Sequence, residues 1–268
     1  MNATSSGTAA QRFSARAWGL TDVGRKRLHN EDSYLINLEL ATFIVADGMG
    51  GHAHGELASR MAVEIIEEEI FRQRRRKPSP FDESGPDAVT RVVSASVQLA
   101  CARIFDLAQR INEYAGMGTT ATTVVFHDSR AIIGHVGDSR AYLLRDGAIR
   151  QVTDDHSWVN EQVKGGLLTA DEARSSRYKN VITRSVGFER DVEVDTEALL
   201  VRDGDLLLMC SDGLSNLVTD DEIAETLRSS YYQKAPAELI DLANARGGDD
   251  NISVVLVEAV GAERSGTA

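Results

Sequence analysis

Carboxylates stand directly before glycine at four places in this chain: Asp47-Gly48, Asp146-Gly147, Asp203-Gly204 and Asp212-Gly213. An Asp-Gly pair alone specifies a turn, because Asp starts turns and Gly supplies the positive φ that tight ones need. Context divides the four. Asp146-Gly147 lies between Tyr142-Leu143-Leu144 and Ile149-Arg150-Gln151 among charged neighbours, and Asp203-Gly204 leads into a further strand-like run, so solvated turns account for both. Asp47 and Asp212 instead follow the apolar runs 43–46 and 206–210, which places their carboxylates at the ends of buried strands. A charge in that position is costly to desolvate unless something compensates it. The sequence offers no obvious Arg or Lys partner near either one, which leaves a bound cation or a capped turn.

Two further acidic groups narrow the choice. Gly247-Gly248-Asp249-Asp250-Asn251 precedes the apolar run 252–257, and Asn30-Glu31-Asp32 precedes Ser33-Tyr34-Leu35-Ile36. Four acidic clusters at strand boundaries, with only scattered histidines and no cysteine among them, describe an oxygen-only site for Mg²⁺ or Mn²⁺ and not for zinc.

The elements that must hold these groups follow from periodicity. The spacing predicts a helix over 56–72, a charged and proline-containing loop over 74–80, and a second helix over 87–114 ended by Gly116. Short β-rich runs follow at 122–126, 131–136, 141–144 and 149–153. Residues 154–185 form a polar flap with one amphipathic stretch at 158–163 and a helix start at Thr169-Ala170-Asp171-Glu172. A strand at 205–210, helices at 220–228 and 235–245, and a strand at 252–257 complete an α+β pattern.

With 42% apolar residues, 268 residues suffice for one sizeable core, so a single domain over 15–260 with flexible tails at 1–14 and 261–268 is expected. A net charge of −12 lacks the basic footprint of a nucleic-acid or anionic-membrane binder. No run approaches the roughly 18 apolar residues of a spanning segment, and the first ten residues do not read as a signal peptide. Cys101 and Cys210 stand far apart in apolar surroundings, which fits the reducing cytoplasm.

In chain order, Asp22-Val23-Gly24 with Arg27 and Asn30-Glu31-Asp32, then Ala46-Asp47-Gly48-Met49-Gly50-Gly51-His52, then Gly116-Met117-Gly118-Thr119-Thr120 resemble the type 2C (PPM) serine/threonine phosphatases in their bacterial form. The resemblance continues through Val136-Gly137-Asp138-Ser139-Arg140-Ala141, Asp155-His156-Ser157, Cys210-Ser211-Asp212-Gly213-Leu214 and Gly248-Asp249-Asp250-Asn251. It implies a sandwich of two antiparallel sheets flanked by pairs of helices, with the flap as an insertion. It also implies two Mn²⁺ or Mg²⁺ ions, with Asp47 bridging them, the Gly48 carbonyl on one, and Asp212 and Asp250 on the other. Glu31 and Asp32 would act through bound water, and Asp138 would help Asp212 hold a third, weaker ion.

The same resemblance makes a hydroxide bridging the ions the nucleophile, Arg27 the fork that orients the phosphate, and His52 the acid that protonates the departing serine or threonine oxygen. Neither cysteine sits in a CxxxxxR cradle, so a covalent cysteine mechanism is not expected. His54 is expected in solvent, His127 and His135 in structural places, and His156 at the start of the flap. The implied partners are phosphorylated proteins and a bacterial Ser/Thr kinase, acting with a monomeric enzyme. A pseudophosphatase scaffold, and a phosphatase of small phosphomonoesters or of an anti-sigma-factor regulator, are the competing readings. The basic stretch 72–77 has no assigned role.

Overall fold

The computed structural model describes residues 13–50, 54–83 and 85–261. Eleven strands are found among them: β1 (Phe13–Asp22), β2 (Asp32–Asn37), β3 (Thr42–Met49), β4 (Gly118–Thr119), β5 (Ala121–His127), β6 (Arg130–Val136), β7 (Arg140–Arg145), β8 (Ala148–Gln151), β9 (Asp195–Leu200), β10 (Leu206–Cys210) and β11 (Ile252–Gly261). The helices are α1 (His54–Arg75), α2 (Asp87–Arg110), α3 (Trp158–Lys164), α4 (Ala170–Ser175), α5 (Asp212–Ser215), α6 (Asp220–Ser229) and α7 (Ala235–Ala245). One antiparallel sheet runs β1-β11-β10-β7-β8 and the other β2-β3-β5-β6-β9, with β4 paired to β3.

Alternate residues of each strand serve different layers, which is why the central strands read as unbroken apolar runs. Phe43 and Val45 of β3 point between the sheets to meet Leu207, Met209 and Val255. Their neighbours Ile44 and Ala46 face α1 and α2, against Ile66, Val93 and Val97. On the far side, Leu206, Leu208 and Cys210 of β10 pack under Ile223, Leu227 and Leu239 of α6 and α7. The result is the expected helix–sheet–sheet–helix sandwich.

Several expectations are corrected at their edges. The first helix runs to Arg75, so Arg72, Arg74 and Arg75 form its last turn, where cations favour the carbonyl end. Arg74 donates to the Leu40 carbonyl and lies over the Phe81 ring, 4.1 Å from its centroid. The second helix stops at Arg110 and yields to a 3₁₀ turn over Asn112–Tyr114 before Gly116, whose φ is 80°. β1 and the edge strand β9 carry no strong alternation and were not anticipated. The tail limits at 14 and 261 fall inside paired strands, since Phe13 and Ser14 face Gly261 and Val260; the rest of both tails lies outside the described residues. By length and composition α2 could cross a membrane, but half of its apolar window is buried in the core.

Candidate active site

β3, which carries Asp47 two residues before its end, and β10, which stops at Cys210 just before Asp212 opens α5, belong to different sheets, and the sandwich brings these two points to one mouth. Asp32 of β2 lies directly across the ladder from Asp47 of β3. The Gly118-Thr119-Thr120 stretch holds Asp47 in place: Thr120 Oγ1 accepts the Asp47 N–H at 2.9 Å, and Thr119 Oγ1 donates to the Asp47 carbonyl at 2.9 Å. Thr120 also bonds the Ser139 hydroxyl at 2.7 Å, which ties Asp47 to the turn carrying Asp138. Gly48 is required sterically, because a Cβ there would come within 2.1 Å of the Gly55 carbonyl oxygen and 2.5 Å of that of Glu31.

The third acidic loop closes over the same point. Gly24, at φ 79°, lets the chain after β1 pass so near β11 that a Cβ would lie 2.2 Å from the Asp250 carbonyl oxygen. Asn251 is the hub of this junction. Its amide donates to the carbonyls of Val23 and His29, both at 2.9 Å, and its carbonyl accepts the Glu31 N–H at 2.8 Å. Asn251 was visible in the sequence as part of a motif, but nothing in one dimension marks which backbone it pins.

Asp47, Asp138, Asp212, Asp250, Glu31, Arg27 and Gly48 all line one cleft of about 860 Å³. Asp32 sits beneath it, buried, with Oδ2 accepting from Ser211 and Ser253 hydroxyls at 2.7 Å each and Oδ1 without a partner among the described residues. Asp212 Oδ1 is likewise buried with no hydrogen-bond partner among the described residues, while its Oδ2 accepts from Asn216 at 3.0 Å. Arg27 is the one cation bonded to this group among the described residues, through Nη2 to Asp250 Oδ2 at 2.7 Å.

So many carboxylates cannot all ionise together without compensation. Burial, then the charges of Asp32, Asp212 and Asp138, hold Asp47 well above the ordinary carboxylate range. Burial pushes Asp32 up to about 7 despite its two serine bonds, and burial with Asp250 pushes Asp212 up to about 6. Asp138 is raised by burial and by Asp212. No three of these side chains close on a single point among the described residues. Two orphaned oxygens and an all-oxygen donor set fit hard divalent cations.

His52 lies outside the described residues. His54, expected in solvent, begins α1 half-buried and packs edge-on against Tyr114, 5.4 Å away. His127 packs edge-on against Phe81, 5.7 Å away, a structural place. His156 does anchor the flap, and does more. Its Nδ1 accepts the Gly137 N–H at 3.0 Å, so Nε2 carries the ring proton and faces Asp195 Oδ2 at 3.2 Å, where Arg184 also binds Asp195 at 2.6 Å. This chain of contacts, missed in the sequence because its members are scattered, positions the turn before Asp138. Asp146 and Asp203 stay out of the site: Asp146-Gly147 has φ of 52° and 79° between β7 and β8, the tight hairpin expected.

The protein phosphatase 2C family profile matches residues 24–245. The serine/threonine phosphatase Stp of Listeria innocua is 38% identical over 242 residues, covering 89% of this chain and 93% of that protein. The crystal structure of the Mycobacterium tuberculosis serine/threonine phosphatase PstP superposes with a TM-score of 0.81 at 34% identity, covering 91% of this chain and 98% of that one. A PstP catalytic domain solved in complex with two manganese ions gives the same TM-score and identity, over 92% of this chain and 99% of that one. The fold, the acidic mouth and these similarities agree: the chain belongs to the protein phosphatase 2C family of metal-dependent serine/threonine phosphatases.

Proposed function

We propose that the acidic mouth is the catalytic centre of this phosphatase, with Asp47, Asp212, Asp250 and the Gly48 carbonyl holding two Mn²⁺ or Mg²⁺ ions. Glu31 and Asp32 support them through water, and Asp138 with Asp212 holds a third, weaker ion. The observation that carries this reading is the pair of buried oxygens, Asp32 Oδ1 and Asp212 Oδ1, that have no partner among the described residues, in a carboxylate cluster to which Arg27 is the one guanidinium bonded among those residues.

When bound, the cations neutralise phosphate charge and acidify water, so that water attacks phosphorus directly. Arg27 commits one terminal nitrogen to Asp250 and keeps the rest of its planar fork for phosphate oxygens. His52 follows the glycine loop and donates the proton that the leaving serine or threonine oxygen needs. Asn251, Thr120 and His156 act through others, holding Glu31, Asp47 and the Asp138 turn in place. The substrates are phosphorylated proteins, the opposing enzyme is a Ser/Thr kinase, and the enzyme works as a cytoplasmic monomer with one catalytic domain that includes β1 and β11 in full. A silent scaffold and a small-phosphomonoester enzyme gain no support from the site or the similarities.

Hydrolysis of a phosphothreonine peptide, followed in chelator and after adding Mn²⁺, tests the site. Turnover is expected only with the metal, and Asp47→Asn and Asp212→Asn are expected to reduce it to background while circular dichroism stays native. Full turnover in verified metal-free protein would sink the reading.

A further inference from the structure

The reaction needs only the acidic mouth, yet the cleft extends beyond it along the segment after the flap, through Phe188, Glu189, Asp191, Val192 and Glu193. At about 860 Å³ it is far larger than one phosphorylated side chain requires. Two large apolar side chains line it in the open, Leu28 with 91% and Phe188 with 65% of its surface exposed. An exposed aromatic residue has an entropic reason to be on a loose loop, but Phe188 is on a fixed one. Val186 is buried and exchanges two backbone hydrogen bonds with Thr119, at 2.9 and 2.8 Å. Gly187, at φ 93°, lies so tightly on α2 that a Cβ would come within 2.3 Å of Ile104. Cys101 of α2 accepts the Gly187 N–H at 3.3 Å and donates to the Glu189 carbonyl at 3.1 Å. Three buried anchors therefore hold a phenyl ring out into the cleft, an arrangement that lowers the entropic cost of contact with a ligand.

Charge is divided across the same cleft. Lys26, Arg27 and His29 line it on the loop after β1, with Arg27 at the metal carboxylates. Glu189, Asp191 and Glu193 line the arm after the flap. Glu193 is engaged by Arg184 at 3.7 Å, and Arg190 turns away to Asp106 at 3.2 Å. Glu189 and Asp191 have no ion-pair partner within 4.0 Å among the described residues, so their charges remain available to an incoming cation.

Resting on the proposed phosphoprotein substrate, we propose that this arm reads the residues flanking the phosphorylated serine or threonine: Phe188 with Leu28 receives an apolar side chain, and Glu189 with Asp191 receives an Arg or Lys. The preferred substrates are thus phosphopeptides with basic and apolar flanks, continuous with the phosphate held at the mouth. Rejection of acidic flanks follows from the same two carboxylates.

The test compares kcat/KM of the Mn²⁺-loaded enzyme on phosphothreonine peptides whose flanks are Arg, Ala or Glu, with p-nitrophenyl phosphate as a flankless control. Arg flanks should be favoured over Glu flanks by about tenfold, falling to about twofold or less in the Glu189→Lys/Asp191→Lys variant. Phe188→Ala should lose roughly fivefold on peptides with a Leu or Phe flank. All variants should hydrolyse p-nitrophenyl phosphate like the parent. An enzyme indifferent to flank charge, or a preference that survives the double reversal, overturns the proposal. Binding of non-hydrolysable phosphonate peptides with the same flanks, read by fluorescence anisotropy, separates the two readings. Flank-dependent binding without turnover speaks against the catalytic site but for the arm, and turnover with flank-independent binding speaks the other way.

Discussion

Asp205 and Asp32 are both buried aspartates at the start of strands, 3% and 7% exposed, and they are held in opposite ways. Asp205 takes a two-pronged bond from Arg145, at 2.8 and 2.6 Å, and a third from the Arg202 N–H at 2.7 Å. Asp32 has two serine hydroxyls on one oxygen and nothing on the other. A guanidinium completes Asp205 within the chain and makes it part of the frame. Asp32 and Asp212, in the acidic mouth, each keep one buried oxygen without a partner among the described residues. Burial of a carboxylate therefore says little about its role until its partner is known.

Substitution should separate the two kinds. Asp32→Asn is expected to leave the metal-free protein as stable as the parent or more so, since it removes one charge from a repelling cluster, while the stabilisation by added Mn²⁺ shrinks. Asp205→Asn should cost about 2 to 3 kcal/mol, below the usual loss for a fully buried pair because Arg145 keeps some solvent contact. Its turnover per folded molecule should be unchanged. Thermal unfolding with and without Mn²⁺ reads both, and an Asp32→Asn variant that unfolds as readily as Asp205→Asn would erase the distinction.

A third mode of burial is histidine satisfied by neutral groups. His135 accepts from Thr122 at 3.0 Å on Nδ1 and faces the Asp154 carbonyl at 3.1 Å on Nε2, and burial, then His156, push its pKa down to about 3. The unfolded chain binds this proton near the ordinary value of about 6.5. The folded state thus holds fewer protons between the two values. The neutral ring's contribution is intact above about 6.5 and is lost as pH falls toward 3, by up to about 1.4 kcal/mol per pH unit. Urea unfolding at stepped pH should show this slope, and His135→Gln should lessen it by one proton; an equal slope in both would remove His135 from the account. His156 and Asp195, which adjoin this ring, are unchanged in that comparison.

The smallest effect marks the other edge of the comparison. Asp146→Asn should shift stability by no more than about 0.5 kcal/mol and leave turnover alone, because Asn-Gly suits the same tight hairpin. A loss of activity there would mean that the four Asp-Gly pairs are not divided as their surroundings imply.

Much of this was legible in one dimension. Apolar runs leading into Asp-Gly singled out the two aspartates that meet, although Asp47 lies inside β3 and Asp212 opens α5, and turn chemistry singled out the two pairs that do not, because desolvation cost and backbone preference are local properties. The long helices, the flap with its Thr169–Glu172 capping box and most of the strands were likewise readable from periodicity. Edge strands such as β9 were not, since an edge needs only half the apolar pattern.

What the sequence by itself determined is the inventory: which carboxylates adjoin buried strands, and that these clusters offer oxygen and no sulfur. Only the tertiary structure decided which of them go without a partner. Asp205 and Asp32 are indistinguishable as letters before strands, and what separates them is Arg145, 60 residues away from the first, and the absence of any such group beside the second among the described residues. The same holds for Asn251, which joins residues more than 220 positions apart, and for Phe188, whose exposure is meaningful because Cys101 and Thr119 fix its loop. Pairing between distant residues is set by how two sheets stack, and no local propensity encodes it.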